Sequence, residues 1–254
     1  MTDRLDGTAA LITGASSGIG EAIAVALAGQ GAAVAIAARR TDRLTELARR
    51  IRDSGGGVAM FPADVTDRAD ALGLADKVVD EFGRLDTVVN NAGMMLLGPA
   101  VGAPVQEWEQ MVALNLQGLL WVTHGALPHL LTAADSSPRE VADLVNISSV
   151  AGRVPRLGSG VYNLTKHGVG AFSESLRQEV TKRHVRVSLV EPGAVATELA
   201  SHVRDEVRAT MMQRFADMER LEADDIADAI SYIVTRPRRV AVNEILIRPT
   251  EQEG

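Results

Sequence analysis

Tyr162 and Lys166, in Val161-Tyr-Asn-Leu-Thr-Lys166, are four residues apart and would share one face of a helix. A phenol has a pKa near 10 and gives up its proton reluctantly at neutral pH. A neighbouring ammonium favours the phenolate and lowers that value, as an oxidised nicotinamide ring would. Such a tyrosine can donate a proton to a carbonyl oxygen as hydride arrives, or take one from an alcohol in reverse. Alone, the pattern is more often a surface pair on a helix. Ser149 follows an apolar stretch thirteen residues earlier. A serine and a tyrosine hydroxyl aimed at one oxygen would form a small oxyanion site.

A second cluster could hold a phosphate. Thr13-Gly-Ala-Ser-Ser-Gly-Ile-Gly20 supplies Gly14, Ser16, Ser17, Gly18, Ile19 and Gly20 between an apolar run and a helical one. Gly14 can take backbone angles that a Cβ forbids, and Gly18 allows a close ligand approach. Gly20 is expected to let the first helix pack near the sheet. A helix start there offers free amide hydrogens and a positive dipole end to a pyrophosphate. The spacing is G-x-x-x-G-x-G, not the general G-x-G-x-x-G, and a flexible turn without ligand is the alternative. After the second apolar run come Arg39 and Arg40, with no carboxylate before Asp42. An acid in that place would bond a ribose 2′-hydroxyl, whereas arginine takes a 2′-phosphate through paired hydrogen bonds. This favours NADP(H) over NAD(H), the alternative being two solvated helix-start charges.

Those side chains need a scaffold, and the pattern provides one. Strands are expected at 9–13, 34–37, 58–62, 87–90, 143–147, 185–190 and 244–247, with helices near 19–28, 43–51, 67–82, 105–131, 161–183, 198–215 and 223–234. Asp67 and Asp224 are the expected N-caps of two of them. Strands alternating with helices predict an α/β fold: one doubly wound Rossmann-type domain over 1–254, its parallel sheet of about seven strands covered on both faces. Polar stretches at 132–140 and 236–239 read as surface loops.

Composition narrows the classes. A net charge of -7 over 254 residues argues against a nucleic-acid partner. With no cysteine, disulfides, thiolate metal sites and a cysteine nucleophile are excluded. His124, His129, His167, His184 and His202 show no metal-ligand spacing. No run reaches the roughly 20 apolar residues of a membrane span, and the first residues show no signal peptide. A cytoplasmic protein is the expectation.

Together, Thr13 to Gly20, Asn90-Asn-Ala-Gly93, Ser148-Ser149, Tyr162-x-x-x-Lys166 and Pro192-Gly193 resemble the short-chain dehydrogenase/reductase family in order and approximate spacing. The resemblance covers essentially the whole chain. It implies that Ser149 holds the substrate oxygen, with Ser148 less suited on spacing, and that Tyr162 is the general acid/base. Lys166 would lower the phenol pKa and bond the nicotinamide ribose, while Asn115 would hold a water on the proton route to lysine. It also implies that Asp64, followed by Val65, contacts the adenine, and that Asn91, Ala92 and Gly93 lie beside the adenosine ribose. Val195 and Thr197, after Pro192 and Gly193, resemble the stretch that grips the nicotinamide carboxamide. Leu164 and Thr165 depart from the family's usual residues there, altering packing and not reactive groups. The tail from Glu244 lacks the D-G-G common in ketoacyl reductases and looks closer to the branch of clavaldehyde reductases and 3-hydroxy-acid dehydrogenases.

The expected activity is that of an NADPH-dependent carbonyl reductase, or alcohol dehydrogenase in reverse, acting on a small to medium apolar ketone or aldehyde. Met94 to Leu97 would add apolar wall, giving an uncharged, hydrophobic pocket. A substrate lid is expected within 197–218, where Val207, Met211, Met212, Phe215 and Met218 form either a mobile cover or a core-facing stripe. Alternatives are an NAD(H)-dependent alcohol or 3-hydroxy-acid dehydrogenase, and a catalytically silent cofactor sensor. The resemblance also implies a homotetramer pairing the long helices near 105–131 and 161–183.

Overall fold

The computed structural model describes residues 5–214 and 218–253. Seven strands form one parallel sheet in the order β3-β2-β1-β4-β5-β6-β7. They are β1 (Ala9–Thr13), β2 (Ala33–Ala38), β3 (Val58–Pro62), β4 (Thr87–Asn90), β5 (Ala142–Ile147), β6 (Val185–Pro192) and β7 (Glu244–Ile247). The helices are α1 (Gly18–Gly29), α2 (Thr41–Asp53), α3 (Arg68–Phe82), α4 (Val105–Val112), α5 (Leu119–Ser136), α6 (Gly160–Val180), α7 (Asp205–Arg214) and α8 (Ala223–Thr235).

The central strands read as unbroken apolar runs because helices cover both of their faces. Successive side chains point to opposite sides, so each strand feeds two cores. Ala10 and Ile12 of β1 join Val34, Ile36, Val89 and Val145 beneath α1, α2 and α8. Leu11 between them joins Ala35, Ala37, Val88 and Leu144 beneath α3, α5 and α6. The strand order reverses between β1 and β4, which leaves a crevice beyond the carboxyl ends of the strands.

Three local expectations change. The stretch expected as a loop at 132–140 is helical as far as Ser136, because Ala133 and Ala134 are buried against the core and hold the chain in register. The hydroxyls that signalled a loop donate back inside the helix, Thr132 to Pro128 O and Ser136 to Thr132 O. Asp67 caps α3 as expected, accepting from the Asp70 amide at 2.9 Å. At α8, however, the cap position belongs to Glu222, and Asp225 accepts from its amide at 2.8 Å. Asp224 lies inside the first turn instead. The third change concerns the helix expected at 105–131, which is not continuous: residues 113–118 form a π-helical turn between α4 and α5. Such widened turns concentrate at functional sites.

Beneath the strands, at their amino ends, sits a buried ion network. Asp143 on β5 is 1% exposed and takes Arg186 Nε at 2.7 Å and Nη2 at 2.9 Å. Arg186, its register partner on β6, spends its remaining donors on the carbonyls of Val234, Arg236 and Val240. Asp86, equally buried, accepts from both ends of the Arg84 guanidinium and from the Ala9 amide. A buried charge is tolerable only when paired and hydrogen-bonded in this way. Among the described residues no helix is long and apolar enough to cross a membrane.

Candidate active site

A cavity of about 1250 Å³ opens along the carboxyl ends of the strands. At one end it is lined by Gly14, Ser16, Ser17, Gly18 and Ile19, and by Arg39, Arg40, Asp64 and Val65. Asn91, Ala92 and Gly93 line it too, with Ser149, Tyr162, Lys166, Pro192, Gly193 and Val195, while Thr197 lies against Gly18 of the glycine turn. Of the catalytic and cofactor-binding residues expected from sequence, Gly20 and Asn115 are outside its lining.

The glycine turn is held by a strut from β4. Asn91 Nδ2 donates to Thr13 O at 3.0 Å and Gly14 O at 3.3 Å, while Thr13 Oγ1 accepts from the amides of Asn91 and Ala92. Gly14 has φ +67, and a Cβ there would lie 2.8 Å from Ala92 Cα. A Cβ at Gly20 would strike Asn91 and the Gly14 carbonyl. Gly20 therefore lets α1 start close against the residues that follow β1 and β4. The Ser17 side chain does not cap the start of α1, and among the described residues no side chain claims its first-turn amides. Uncapped amides at a helix start, two arginines and two serine hydroxyls make a donor set that fits a nucleotide's phosphates.

Arg40 reaches into that turn, donating from Nε to Ser16 Oγ at 3.1 Å and from Nη2 to Ser17 Oγ at 2.6 Å. Arg39 lies further out, its guanidinium 3.9 Å from Asp64. Asp64 accepts from the amide and hydroxyl of Thr66. These bonds, with Arg39, hold its carboxyl below the usual range even though burial, the largest single influence, pushes the other way.

At the far end α6 carries Tyr162 and Lys166 on one buried face, with Lys166 Nζ 5.9 Å from the ring centroid. Lys166 Nζ donates to Ile147 O at 2.9 Å at the end of β5. Burial drives its ammonium down to about 8. The phenol moves opposite to the sequence expectation: burial raises it above 10, and a hydrogen bond with Ser149 only partly offsets this. The protein alone thus keeps Tyr162 protonated, because removing a phenolate from water outweighs what the serine returns.

The two serines separate cleanly. Ser148 is buried and donates to Lys166 O at 3.0 Å, fixing α6 to β5. Ser149 faces the cavity, caps a short turn by accepting from the Ala151 amide, and bonds Pro192 O at 3.4 Å. Asn115 sits in the π-helical turn, where its side chain grips Met94 in both directions, N–H at 2.8 Å and O at 2.9 Å. Its Nδ2 also donates to Thr165 Oγ1 at 3.2 Å. A Cβ on Gly93 would lie 3.3 Å from Asn115 Oδ1 and 3.8 Å from Lys166 Nζ, so the asparagine and the lysine flank the same glycine.

The substrate end is not the uncharged pocket expected. Met94, Met95, Leu97, Val207 and Met218 do line it, but so do Arg156, His202, Glu206, Arg220, Glu251 and Glu253. The tail enters because Gln252 Oε1 accepts from the Ala194 amide at 2.9 Å and Glu251 accepts from the Glu219 amide at 3.0 Å. No sequence signal connects residue 252 to residue 194, and only the fold brings them together. The expected helix at 198–215 is a 3-10 turn, Glu198–His202, followed by α7. Phe215 and the side chains of Met211 and Met212 lie outside the described residues.

Known proteins share this fold. Residues 8–208 match the family model for short chain dehydrogenases. An uncharacterised oxidoreductase of Staphylococcus epidermidis is 36% identical over 240 residues, covering 94% of this chain and 96% of that one. The structure of the closed form of serine dehydrogenase complexed with NADP+ superposes with a TM-score of 0.88 at 31% identity, covering 97% of each chain. A short-chain dehydrogenase/reductase from Burkholderia phymatum, in complex with NAD, gives 0.84 at 28% identity over 96% of this chain and 89% of that one. The chain belongs to the short-chain dehydrogenase/reductase family of nicotinamide-dependent oxidoreductases.

Proposed function

We propose that the protein is an NADPH-dependent oxidoreductase that interconverts a small to medium ketone or aldehyde with its alcohol, Tyr162 handling the proton. The observation carrying this reading is the convergence of Ser149, Tyr162 and Lys166 on one end of a cavity whose other end holds Arg39, Arg40 and the glycine turn. The nicotinamide, when bound, supplies the hydride and, in its oxidised form, a positive charge near the phenol. Tyr162, kept protonated by burial, is the acid for a substrate oxygen positioned by Ser149. Lys166, anchored to Ile147 O, holds its charge beside the ring, and Asn115 fixes the Met94 backbone across Gly93 from it. Arg40, already oriented by Ser16 and Ser17, and Arg39 take the 2′-phosphate. The 198–214 region is the substrate cover.

A second reading of the substrate has one observation in its favour. Arg156 lines the substrate end and has no ion-pair partner among the described residues, which suits a carboxylate. A 3-hydroxy acid is therefore the alternative to a neutral carbonyl compound. Both are tested by a panel of ketones, aldehydes and 3-oxo acids followed by NADPH absorbance. Turnover that survives Tyr162→Phe would refute the mechanism, and turnover only with 3-oxo acids, lost in Arg156→Ala, would select the second substrate class.

We assign a homotetramer as the working assembly. Trp108 on α4, Leu120 on α5 and Leu164 on α6 are apolar side chains left exposed, Leu164 by 61%. Solution mass at micromolar concentration tests this, and a monomer would refute it.

A further inference from the structure

Glu198 opens the short turn after β6, yet its carboxylate meets residues that follow β2. In the sheet these strands are four spacings apart, about 19 Å. The chain from β6 folds back over the crevice, and Glu198 lies 2.9 Å from Arg40 Nη1 and 3.6 Å from Arg43 Nη2. Those bonds, Arg40 first and Arg43 and Ser17 after it, hold the carboxyl below its ordinary value, so it is an anion at neutral pH. The remaining nitrogens of Arg40 rest on Ser16 and Ser17. A carboxylate thus occupies guanidinium and hydroxyl donors whose chemistry equally suits a phosphate.

We propose that Glu198 is a specificity-determining residue that competes with the 2′-phosphate of the dinucleotide for Arg40, Arg43 and Ser17. This rests on the NADP(H) reading above and adds to it an internal anion opposing that choice. A 2′-phosphate either displaces Glu198 from the arginines or binds beside it against repulsion. A 2′-hydroxyl does neither, so the residue weakens only phosphorylated nucleotides. Displacement also detaches the start of the 198–202 turn from α2, which links the adenosine end of the cavity to its cover.

The pair is about half exposed on both sides, so its effect is modest. The experiment is calorimetric titration of the protein with adenosine 2′,5′-bisphosphate and with 5′-AMP at low salt, in wild type, E198Q, E198A and R40A. Both Glu198 variants are expected to bind the bisphosphate about threefold more tightly, leaving 5′-AMP unchanged, with the gain shrinking as salt is added. R40A is expected to weaken the bisphosphate selectively. Unchanged or weakened bisphosphate binding in E198Q and E198A, or an equal shift for both ligands, would overturn the role of Glu198. The NADP(H) reading fails separately, if wild type prefers 5′-AMP and R40A alters neither affinity.

Discussion

The two ends of the sheet carry similar residue types and use them in opposite ways. At the amino ends, Asp86, Asp143 and Arg186 are almost completely buried, and each is satisfied by partners within the chain. At the carboxyl ends, Ser16, Ser17, Arg40, Ser149, Tyr162 and Lys166 line a large cavity, held by contacts to backbone or to side chains that can let go. One end spends its polar groups on stability. The other keeps them on offer to a ligand and accepts the cost, visible in a buried ammonium driven to about 8 and a phenol pushed above its ordinary value. Buried charge in this fold is therefore informative only together with its partners.

The sharpest way to break the comparison is Tyr162→Phe, which removes one oxygen from the functional end. We expect kcat to fall about a thousandfold, the contribution of a positioned general acid, with an unchanged thermal midpoint. Asp143→Ala at the opposite end should do the reverse. It leaves Arg186 and Arg139 without their carboxylate and should lower unfolding free energy by about 3–5 kcal/mol, with kcat/KM of the folded fraction preserved. Arg84→Ala, which strips Asp86 of its guanidinium but leaves the Ala9 amide, should cost about 2 kcal/mol by urea denaturation.

A shift in stability of the opposite sign, and the one with a pH signature, comes from Lys166→Met. Lys166 stands near 8 in the folded chain against 10.5 when solvated. Folding thus opposes its charge fully below pH 8, by less between 8 and 10.5, and not at all above. The variant should be about 1–3 kcal/mol more stable than wild type near pH 7, an advantage that fades toward pH 10.5, while activity is lost. A variant less stable than wild type at pH 7 would show that the lysine belongs with the amino-end charges, as structure and not as function.

Much of the site was legible because its residues lie where strands end. Any side chain just after a buried run must emerge at the ligand edge of a parallel sheet, so Gly14, Arg39, Asn91, Ser149 and Gly193 could be placed by counting from their strands. Tyr162 and Lys166 were legible through helical spacing. The pattern misled where hydroxyls at 132–136 looked like a loop, since buried alanines decided in favour of helix. It also misled over the pocket, because Arg156, Glu206, Arg220 and the tail join its apolar residues from separate parts of the chain.

The sequence by itself determined the layer order, the strand series and the residues presented at the carboxyl edge, because hydrophobic periodicity and glycine placement are local. Tertiary structure alone decided that Gln252 reaches Ala194, that Glu198 crosses four strand spacings to Arg40, and that Ser148 and Ser149 face different ways. It also set the phenol above 10 and the ammonium near 8. Those outcomes depend on how much water is excluded and which distant groups meet, and neither quantity is written in the spacing of residues along a chain.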